Sequence, residues 1–374
     1  MTNFSRPTWV EIRLDYIGHN IKAIKEHVGP QVKLMAVVKA DAYGHGASRV
    51  SERAVQAGAD WLGVASLSEA IELRDYGIKA PLLILGATPA AYAKEVLENR
   101  VTPTVFEPCL AKALSIAAVE RGEKCKVHIK VDTGMGRLGV IWEEAPKLTR
   151  EIAGLPGIEI EGLFSHLATA DEPAKDYVRL QLTRFYWVLN QLEEAKIHIP
   201  IKHMANSAGA IDSPFTRLNL VRPGIATYGL PPAKDFPLKI DLYPAMSFKT
   251  QIIQLKWWPS GSPISYGGTY RTNRPARVAT LPVGYADGYN RELGNKAYVL
   301  IGGQRLPVIG RVCMDFSMVD VTSLPEVREG DEVVLFGSQG KERIPVEEIA
   351  ELCRTINYEI VSRIGGRIPR VYVG

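Results

Sequence analysis

The sequence predicts a (β/α)8 barrel followed by a mostly-β domain. Short apolar runs alternate with helical patterns about eight times over the first two thirds of the chain, which is typical of parallel βαβ units. Polar residues follow the carboxyl end of run after run, and the chain becomes β-rich and glycine-punctuated after about residue 240. At 374 residues the chain is long enough for two domains.

Eight apolar runs are the candidate barrel strands. They lie at residues 33–38, 61–65, 82–85, 101–105, 126–131, 159–165, 202–205 and 219–222. Amphipathic segments separate most of them, for example residues 108–121 and 174–195. Eight such units close naturally into a barrel of about 250 residues or fewer. An open doubly wound sheet is the alternative, but no GxGxxG pattern follows the first run to support a dinucleotide site.

The polar residues at the ends of these runs define a candidate active-site rim. They are Lys39, Lys130, Asp132, His166, Asn206 and Arg222. In a barrel the carboxyl ends of the strands share one rim, and that rim carries the chemistry. Scattered structural polar residues would not favour one end of the strands so consistently.

The last third of the chain predicts a compact β domain. Its short β-rich segments are residues 246–255, 277–281, 298–301, 306–309 and 332–336. One helical stretch, Pro345–Arg354, interrupts them, and Pro345 suits its first turn. A strand at Thr8–Leu14 precedes the barrel and is expected to pair with this domain. The expected domains are therefore an N-terminal strand segment at 1–14, the barrel at 15–240 and the β domain at 241–374.

Composition argues against several other classes of protein. The chain is 46% apolar and 23% charged with a net charge of +4, and its Lys and Arg residues are scattered, so nothing indicates nucleic-acid binding. No apolar run approaches the ~18 residues of a membrane helix, and no apolar signal core follows Met1. The four cysteines lie far apart without a CxxC pair, which indicates reduced packing residues of a cytoplasmic protein rather than a metal site.

Lys39 is the most informative of the rim candidates. It follows the first apolar run and precedes a glycine-punctuated turn. An amine held at the end of a buried strand can be desolvated and can form a Schiff base with an aldehyde. An isolated lysine at such a position would be interpreted as a surface residue, but the flanking decapeptide VVKADAYGHG (37–46) reverses that interpretation.

This decapeptide closely resembles the pyridoxal-phosphate attachment motif of alanine racemases. The resemblance continues in order through KVDTGMGR (130–137), SHLA (165–168), NSA (206–208), VRPGI (221–225), SYG (265–267), VGYADGY (283–289), RVCMD (311–315) and TINYEI (355–360). One such match would be suggestive, whereas all of them in order are close to diagnostic. The resemblance implies a pyridoxal-phosphate barrel followed by a β domain, arranged as a head-to-tail homodimer whose active sites take residues from both chains.

The resemblance also implies a two-base mechanism. Racemisation removes a proton from one face of the α-carbon and returns it on the other, so two groups on opposite faces are the economical solution. Lys39, which also holds the cofactor, is one base, and Tyr266 of the partner subunit is the other. A phenol titrates near ~10 and needs a neighbour that stabilises the phenolate or accepts its proton. By resemblance that neighbour is His166.

The remaining cofactor contacts are likewise implied by the family. Arg222 faces the pyridine nitrogen, and because an arginine only donates it disfavours a protonated ring, which should suppress side reactions such as transamination. The residues that match the family's phosphate donors are Tyr43, Ser207, Gly224, Ile225 and Tyr358. His166 and Asn206 complete the expected cofactor-binding set.

The expected substrate contacts are Arg137 and the backbone N–H of Met314, which can bind the carboxylate. Tyr285 of the partner subunit and Tyr358 are expected to narrow the entrance to something near a methyl side chain. Lys130 is carbamylated in many family members, which turns a cation into an anion able to orient Arg137. The alternative is an unmodified lysine paired with Asp132 or Asp315.

The family implies the interconversion of L-alanine and D-alanine, which supplies D-alanine for peptidoglycan. No metal, nucleic acid or membrane partner is expected. A serine or broad-specificity racemase is the nearest alternative. A barrel-type amino-acid decarboxylase would need a cysteine and a phosphate loop in other positions. Non-catalytic pyridoxal-phosphate carriers that resemble this barrel lack the β domain and with it Tyr266.

Overall fold

The computed structural model describes residues 6–374, so residues 1–5 of the expected N-terminal segment lie outside the described part. The strands in chain order are β1 Thr8–Arg13, β2 Lys33–Val37, β3 Trp61–Val64, β4 Leu82–Ile84, β5 Thr104–Val105, β6 Cys125–Asp132, β7 Val140–Ile141, β8 Ile158–Phe164, β9 Ile201–His203, β10 Leu220–Val221, β11 Met246–Gln251, β12 Gln254–Trp258, β13 Pro263–Ile264, β14 Tyr270–Arg271, β15 Ala276–Leu281, β16 Tyr298–Ile301, β17 Gln304–Pro307, β18 Ser317–Asp320, β19 Glu332–Gln339, β20 Glu342–Ile344 and β21 Arg370–Val373. The α-helices are α1 Leu14–Val28, α2 Lys39–Tyr43, α3 Ala47–Gln56, α4 Leu67–Asp75, α5 Ala93–Glu98, α6 Pro108–Arg121, α7 Ala145–Ala153, α8 Asp176–Glu194, α9 Ser207–Asp212, α10 Val346–Leu352 and α11 Asn357–Ser362.

The chain divides into two compact units. The barrel unit is Tyr16–Pro244, and the β unit joins the residues up to Asp15 with Ala245–Gly374. In the barrel unit, parallel strands run in the orders β10-β2-β3-β4 and β5-β6-β8-β9. A parallel bridge between Leu83 and Thr102 joins the two sets on one side. The Arg222 N–H donates to the Ala205 carbonyl (2.9 Å) and closes the ring on the other. The predicted eight-stranded barrel is confirmed, and the open sheet is excluded.

The barrel strands are continuous apolar runs because both of their faces are covered. In β2, Leu34, Met35 and Ala36 are fully buried, and Met35 packs in a cluster with Trp61 and Leu220 from neighbouring strands. The helix α6 begins with Pro108 in its first turn and ends at Gly122, whose left-handed φ of 67° any other residue would adopt less readily. The sequence prediction for this helix matches the structure.

The β unit is built around one large sheet of order β17-β16-β19-β11-β1-β21, with β20 added on β19. The strand β1 lies antiparallel to β11, with Thr8 opposite Thr250, and parallel to β21, with Val10 opposite Arg370. A second antiparallel sheet has the order β12-β15-β18. Alternate residues of β1 and β11 are buried, as expected for strands with only one face on the core.

The structure specifies two details of the predicted β domain. The β-rich segment 246–255 contains two strands, β11 and the start of β12. The chain passes from the first sheet to the second at this point. The Ile252 N–H donates to the carbonyl of Asp331, just before β19 of the first sheet, whereas the Ile253 N–H donates to the carbonyl of Thr280 on β15 of the second. Pro345 precedes the helix α10 as its N-terminal cap rather than lying in its first turn.

Two further observations concern the whole described part of the chain. Within residues 6–374, none of the helices combines the length and apolar character that crossing a membrane requires. The cysteines are free thiols, and Cys125 is buried. Cys109 is exposed near the start of α6, so its interpretation as a packing residue was wrong. A sequence pattern gives the face of a helix only approximately, and a single residue at its first turn is easily misassigned.

Candidate active site

The carboxyl ends of the barrel strands gather four cations around one histidine. Lys39, Lys130, Arg137 and Arg222, here called the rim cations, all act electrostatically on His166. Burial holds the pKa of His166 well below its ordinary value, and the rim cations act in the same direction. His166 is therefore neutral at physiological pH. Such a concentration of positive charge is suited to an anionic ligand.

Lys39 is presented by the end of the strand β2. The Val38 N–H still donates to Gly63 on β3 (2.8 Å), so the ladder continues up to the lysine. Burial lowers the pKa of the Lys39 amine, and Arg137 lowers it further against a smaller opposing effect of Glu69. A lowered pKa increases the fraction of neutral amine, which is the form that attacks a carbonyl carbon.

The residues after Lys39, assigned above to α2, form the predicted turn, but its left-handed conformation was not predicted from the sequence. Ala40, Asp41, Ala42 and Tyr43 have φ values between 51° and 54°, a conformation that costs L-residues roughly 1–2 kcal/mol each. Side chains hold the turn in place. Glu69 accepts from the Ala40 N–H (2.8 Å), and Asp41 accepts from the N–H of residue 47 (2.7 Å). The turn carries Tyr43 back towards the barrel.

Hydroxyl and backbone N–H groups converge beside Tyr43. Ser207 Oγ accepts from the N–H groups of Gly224 (2.9 Å) and Ala226 (3.2 Å). A Cβ on Gly224 would lie 2.5 Å from Tyr43 Oη, so only glycine allows this approach. Ile225 begins a buried 3₁₀ turn at the same place. Converging N–H and hydroxyl donors of this kind suit a phosphate.

Asn206 acts on this corner through the helix that follows it. Its Oδ1 accepts from the Gly209 N–H (2.9 Å), which caps α9 and sets the position of Ser207. The structure thus gives Asn206 a contact within the protein that places another predicted site residue.

Arg222 is buried and is held by acceptors on three sides. Its Nη1 donates to His203 Nδ1 (2.8 Å), and its Nη2 donates to the carbonyls of Ser165 (2.8 Å) and Met204 (3.1 Å). Nη2 also lies 3.2 Å from His166 Nδ1. Because arginine only donates, His166 Nδ1 is the acceptor and the neutral ring carries its proton on Nε2. His166 can therefore donate from Nε2 to a further group.

Lys130 is a buried amine surrounded by like charge. Burial lowers its pKa to about 8, and Arg222, Arg137 and Lys39 contribute in that order. Its Nζ lies 5.2 Å from the centre of the Phe164 ring. Among the described residues no carboxylate lies within ion-pair distance of Nζ. Asp132 is instead bound by the N–H groups of residues 134, 135 and 137.

The β unit carries the other predicted residues. Tyr266 is 70% exposed at the start of a 3₁₀ turn, directly after Ser265 with its left-handed φ of 63°. It borders an open pocket of about 670 Å³ that also includes Cys313 and Phe316. Met314 and Tyr285 are both exposed. Their loops lie side by side, because the backbone N–H groups of residues 285 and 286 donate to the carbonyls of residues 313 and 314. Tyr358 is half-buried on the helix α11.

The sequence interpretation missed two groups of residues that support these sites. In the β unit, the fully buried Asp287 binds Arg6 (2.6 and 2.8 Å), Arg367 (2.7 Å) and the Gly284 N–H (2.8 Å), which holds the loop of Tyr285. In the barrel unit, His203 contacts Arg222 and continues to further buried polar residues, which are His128 and Glu161. A local sequence pattern does not reveal such buried carboxylates and imidazoles, because their partners are distant in the chain.

The fold and the site together define a class: a barrel protein with a desolvated lysine and a corner of hydroxyl and N–H groups at its rim, followed by a tyrosine-bearing β unit. Family models for the N-terminal and C-terminal domains of alanine racemase match residues 12–232 and 245–372. The chain belongs to the alanine racemase family.

Individual relatives agree with this assignment. The chain is 49% identical to alanine racemase 2 of Caldanaerobacter subterraneus subsp. tengcongensis over 98% of this chain and 95% of that protein. It is also 49% identical to the alanine racemase of Symbiobacterium thermophilum, over 99% and 98% of the two chains. Among solved structures, alanine racemase of Clostridium difficile 630 has a TM-score of 0.94 at 41% identity, covering 99% of this chain and 97% of that one. The Bacillus anthracis enzyme with bound L-Ala-P has a TM-score of 0.93 at 40% identity, covering 100% and 96%.

Proposed function

We propose that this protein interconverts L-alanine and D-alanine with pyridoxal phosphate held at Lys39, and so supplies D-alanine for a bacterial cell wall. The observation that carries the proposal is the set of rim cations around a neutral His166, found in a chain that matches alanine racemases over nearly its full length. A cationic rim alone would suit many anionic ligands. The lysine at the end of the first barrel strand favours an anionic ligand that also carries a carbonyl group.

The residues at the rim fit pyridoxal phosphate. The Lys39 amine, whose pKa is lowered by burial, would bind the aldehyde group of the cofactor. The corner of Ser207, Gly224, Ile225 and Tyr43 supplies hydroxyl and N–H donors for the phosphate, with no room for a Cβ on Gly224. Arg222 would face the pyridine nitrogen of the cofactor as a hydrogen-bond donor. When bound, the cofactor supplies an electron sink for the pair left on the α-carbon after its proton is removed.

The two bases act on opposite faces of the α-carbon. Lys39 Nζ removes or returns the proton on one face, and Tyr266 Oη of the partner subunit does so on the other. The tautomer of His166 refines its role: with Nδ1 accepting from Arg222, the Nε2–H is a donor that stabilises the Tyr266 phenolate rather than a base that takes its proton. Exposure of Tyr266 on its own chain supports a role at a second subunit.

The substrate contacts follow from the same arrangement. Arg137 is exposed at the rim with its backbone anchored to Asp132, so its guanidinium is available for a carboxylate. We propose that Lys130 is carbamylated, because the neutral amine adds carbon dioxide and a carbamate would place an anion among the rim cations. Met314 and Tyr285 complete the substrate contacts and limit the side chain to a small one.

The first test is the optical activity of L-alanine incubated with the purified protein and pyridoxal phosphate. Decay to a racemic mixture is expected. Lys39→Ala should abolish both turnover and covalent retention of the cofactor. Lys33→Ala is the matched control, because Lys33 lies exposed at the opposite end of the same strand. Racemisation that persists in Lys39→Ala would overturn the assignment of Lys39, and a cofactor-loaded protein that leaves L-alanine unchanged would overturn the proposed reaction.

A further inference from the structure

A line of buried polar side chains leads from Arg222 away from the rim. Arg222 Nη1 lies 2.8 Å from His203 Nδ1, and His203 Nε2 lies 2.9 Å from His128 Nδ1. His128 Nε2 then lies 3.7 Å from Glu161 Oε2. This separation is longer than a hydrogen bond, and each of these last two atoms is buried without a hydrogen-bond partner among the described residues. The four side chains therefore form one continuous path through the barrel unit.

The direction of the two hydrogen bonds in this path is determined by Arg222. Since a guanidinium only donates, His203 Nδ1 must accept, and a neutral His203 carries its proton on Nε2. His203 consequently donates to His128 Nδ1, and His128 presents its own Nε2–H to Glu161. Burial lowers the pKa of both histidines, and Arg222 lowers them as well, which agrees with two neutral rings of the same tautomer.

The path ends at a carboxylate, Glu161. Among the described residues no carboxylate oxygen lies within ion-pair distance of Arg222. Glu161 is 13% exposed and is also bound by Lys126 (2.7 Å). Burial alone raises the pKa of Glu161, but the groups of His128 and Lys126 outweigh burial and hold that pKa below its ordinary value. Glu161 is therefore an anion at the far end of the path.

The barrel interior is shaped to hold the two imidazoles. A Cβ on Gly162 would lie 2.5 Å from His128 Nδ1, so the glycine makes the space that the ring occupies. His203 stacks on Phe164, with ring centres 4.6 Å apart and planes 3° from parallel. Trp61 also packs against His128, with ring centres 5.4 Å apart. Rings packed in this way have little freedom to leave the path.

We propose that Glu161, His128 and His203 act as a positioning relay for Arg222, which transmits the negative charge of Glu161 to the guanidinium through two neutral imidazoles. The relay holds the guanidinium in one orientation. It also weakens donation from the remaining N–H groups of Arg222 towards the ring nitrogen of the cofactor, because hydrogen bonds in series polarise one another. The cofactor side of this inference rests on the proposed function, whereas the relay itself does not.

The relay is tested first by nitrogen-15 NMR of the histidine-labelled protein carrying pyridoxal phosphate at neutral pH. Signals are assigned with His128→Phe and His203→Asn. Both rings are expected to be neutral and protonated on Nε2. Glu161→Gln should shift the His203 Nδ1 signal although the two residues do not touch. Glu159→Gln removes a carboxylate two positions along the same strand and should leave that signal unchanged. A His203 ring that is doubly protonated or protonated on Nδ1 would overturn the relay, even in a protein without racemase activity.

Kinetics then test the link to the cofactor. Replacing a charged acceptor by a neutral one should lower kcat by about fivefold in Glu161→Gln, with KM changed less than about twofold. Glu159→Gln should match the wild type. In the His203→Asn background, which retains an acceptor for Arg222 but breaks the path, Glu161→Gln should have no further effect. Equal losses in both backgrounds would mean that Glu161 affects kcat by a route that does not pass through His203 and would refute the relay.

Discussion

Gly224→Ala is the substitution whose consequence follows most directly from the structure. The added Cβ would lie 2.5 Å from Tyr43 Oη and 3.2 Å from Tyr43 Cζ, whereas ordinary contact begins at 3.4 Å. The hydroxyl must therefore retreat by about 0.9 Å, and overpacking of this kind costs about 1–3 kcal/mol. Because the tyrosine moves out of the phosphate corner, we expect the cost to appear as roughly 5- to 150-fold weaker binding of pyridoxal phosphate.

The assay is equilibrium dialysis of the cofactor-free protein against pyridoxal phosphate. Tyr43→Phe is the diagnostic background, because it removes the atom that the new methyl group meets first. It should itself weaken binding by about 1 kcal/mol through loss of one hydroxyl donor. In that background, the additional cost of Gly224→Ala should fall below about 0.5 kcal/mol. Gly366→Ala is the matched control, since nothing lies within 4 Å of its added Cβ.

Two results would contradict the contact between Tyr43 and Gly224. One is wild-type affinity in Gly224→Ala, which would mean that the corner accommodates a methyl group. The other is an equal loss of affinity with tyrosine or phenylalanine at position 43, which would place the clash elsewhere.

Three further outcomes are expected. Mixing inactive Lys39→Ala and Tyr266→Ala chains should restore part of the activity, because one shared site of a mixed dimer keeps both residues. Labelled bicarbonate should give a carbamate signal that grows as pH rises towards and past the lowered pKa of Lys130, about 8, since only the neutral amine adds carbon dioxide, and the signal should vanish in Lys130→Ala. Asp287→Ala should lower the free energy of unfolding by about 1–3 kcal/mol in urea, because it leaves the buried Gly284 N–H without its acceptor, while the partly exposed Arg6 and Arg367 remain solvated.

Each of these outcomes has a control. The mixed dimer is compared with either inactive chain alone, and an inactive mixture would exclude a shared site. For the carbamate, Lys126→Ala should leave the signal unchanged, because Lys126 is an exposed cation whose pKa is raised by Glu161. For Asp287, replacement of the exposed Asp75 should leave the unfolding midpoint near that of the wild type.

Local patterns in the chain were sufficient for the barrel and for most of its rim. Short continuous apolar runs predict barrel strands, because a strand that is buried on both faces consists mainly of apolar residues. The polar residue that follows each run is therefore expected at the end of a strand. Lys39, His166 and Arg222 were located in this way, and the structure brings them together around one site. The helix α6 was predictable because its proline and glycine mark its two ends.

Other features depend on contacts that no local pattern records. The left-handed conformation of Ala40–Tyr43 lies in residues that are not glycine, and Glu69 from another helix maintains it. Asp287 meets Arg6 across 281 positions of the chain. The local sequence does not distinguish these residues from ordinary polar ones, because their partners are distant in the chain.

Residue types and their periodicity were enough to predict the fold class, the family and the strand ends at which polar residues gather. The acceptor role of His166 Nδ1 and His203 Nδ1 towards Arg222, the lowered pKa of the Lys130 amine, and the alignment of His203, His128 and Glu161 beyond Arg222 became visible only in the folded protein. These properties arise from burial and from the charges and donors that folding brings within a few ångströms, and neither exists before the chain has folded.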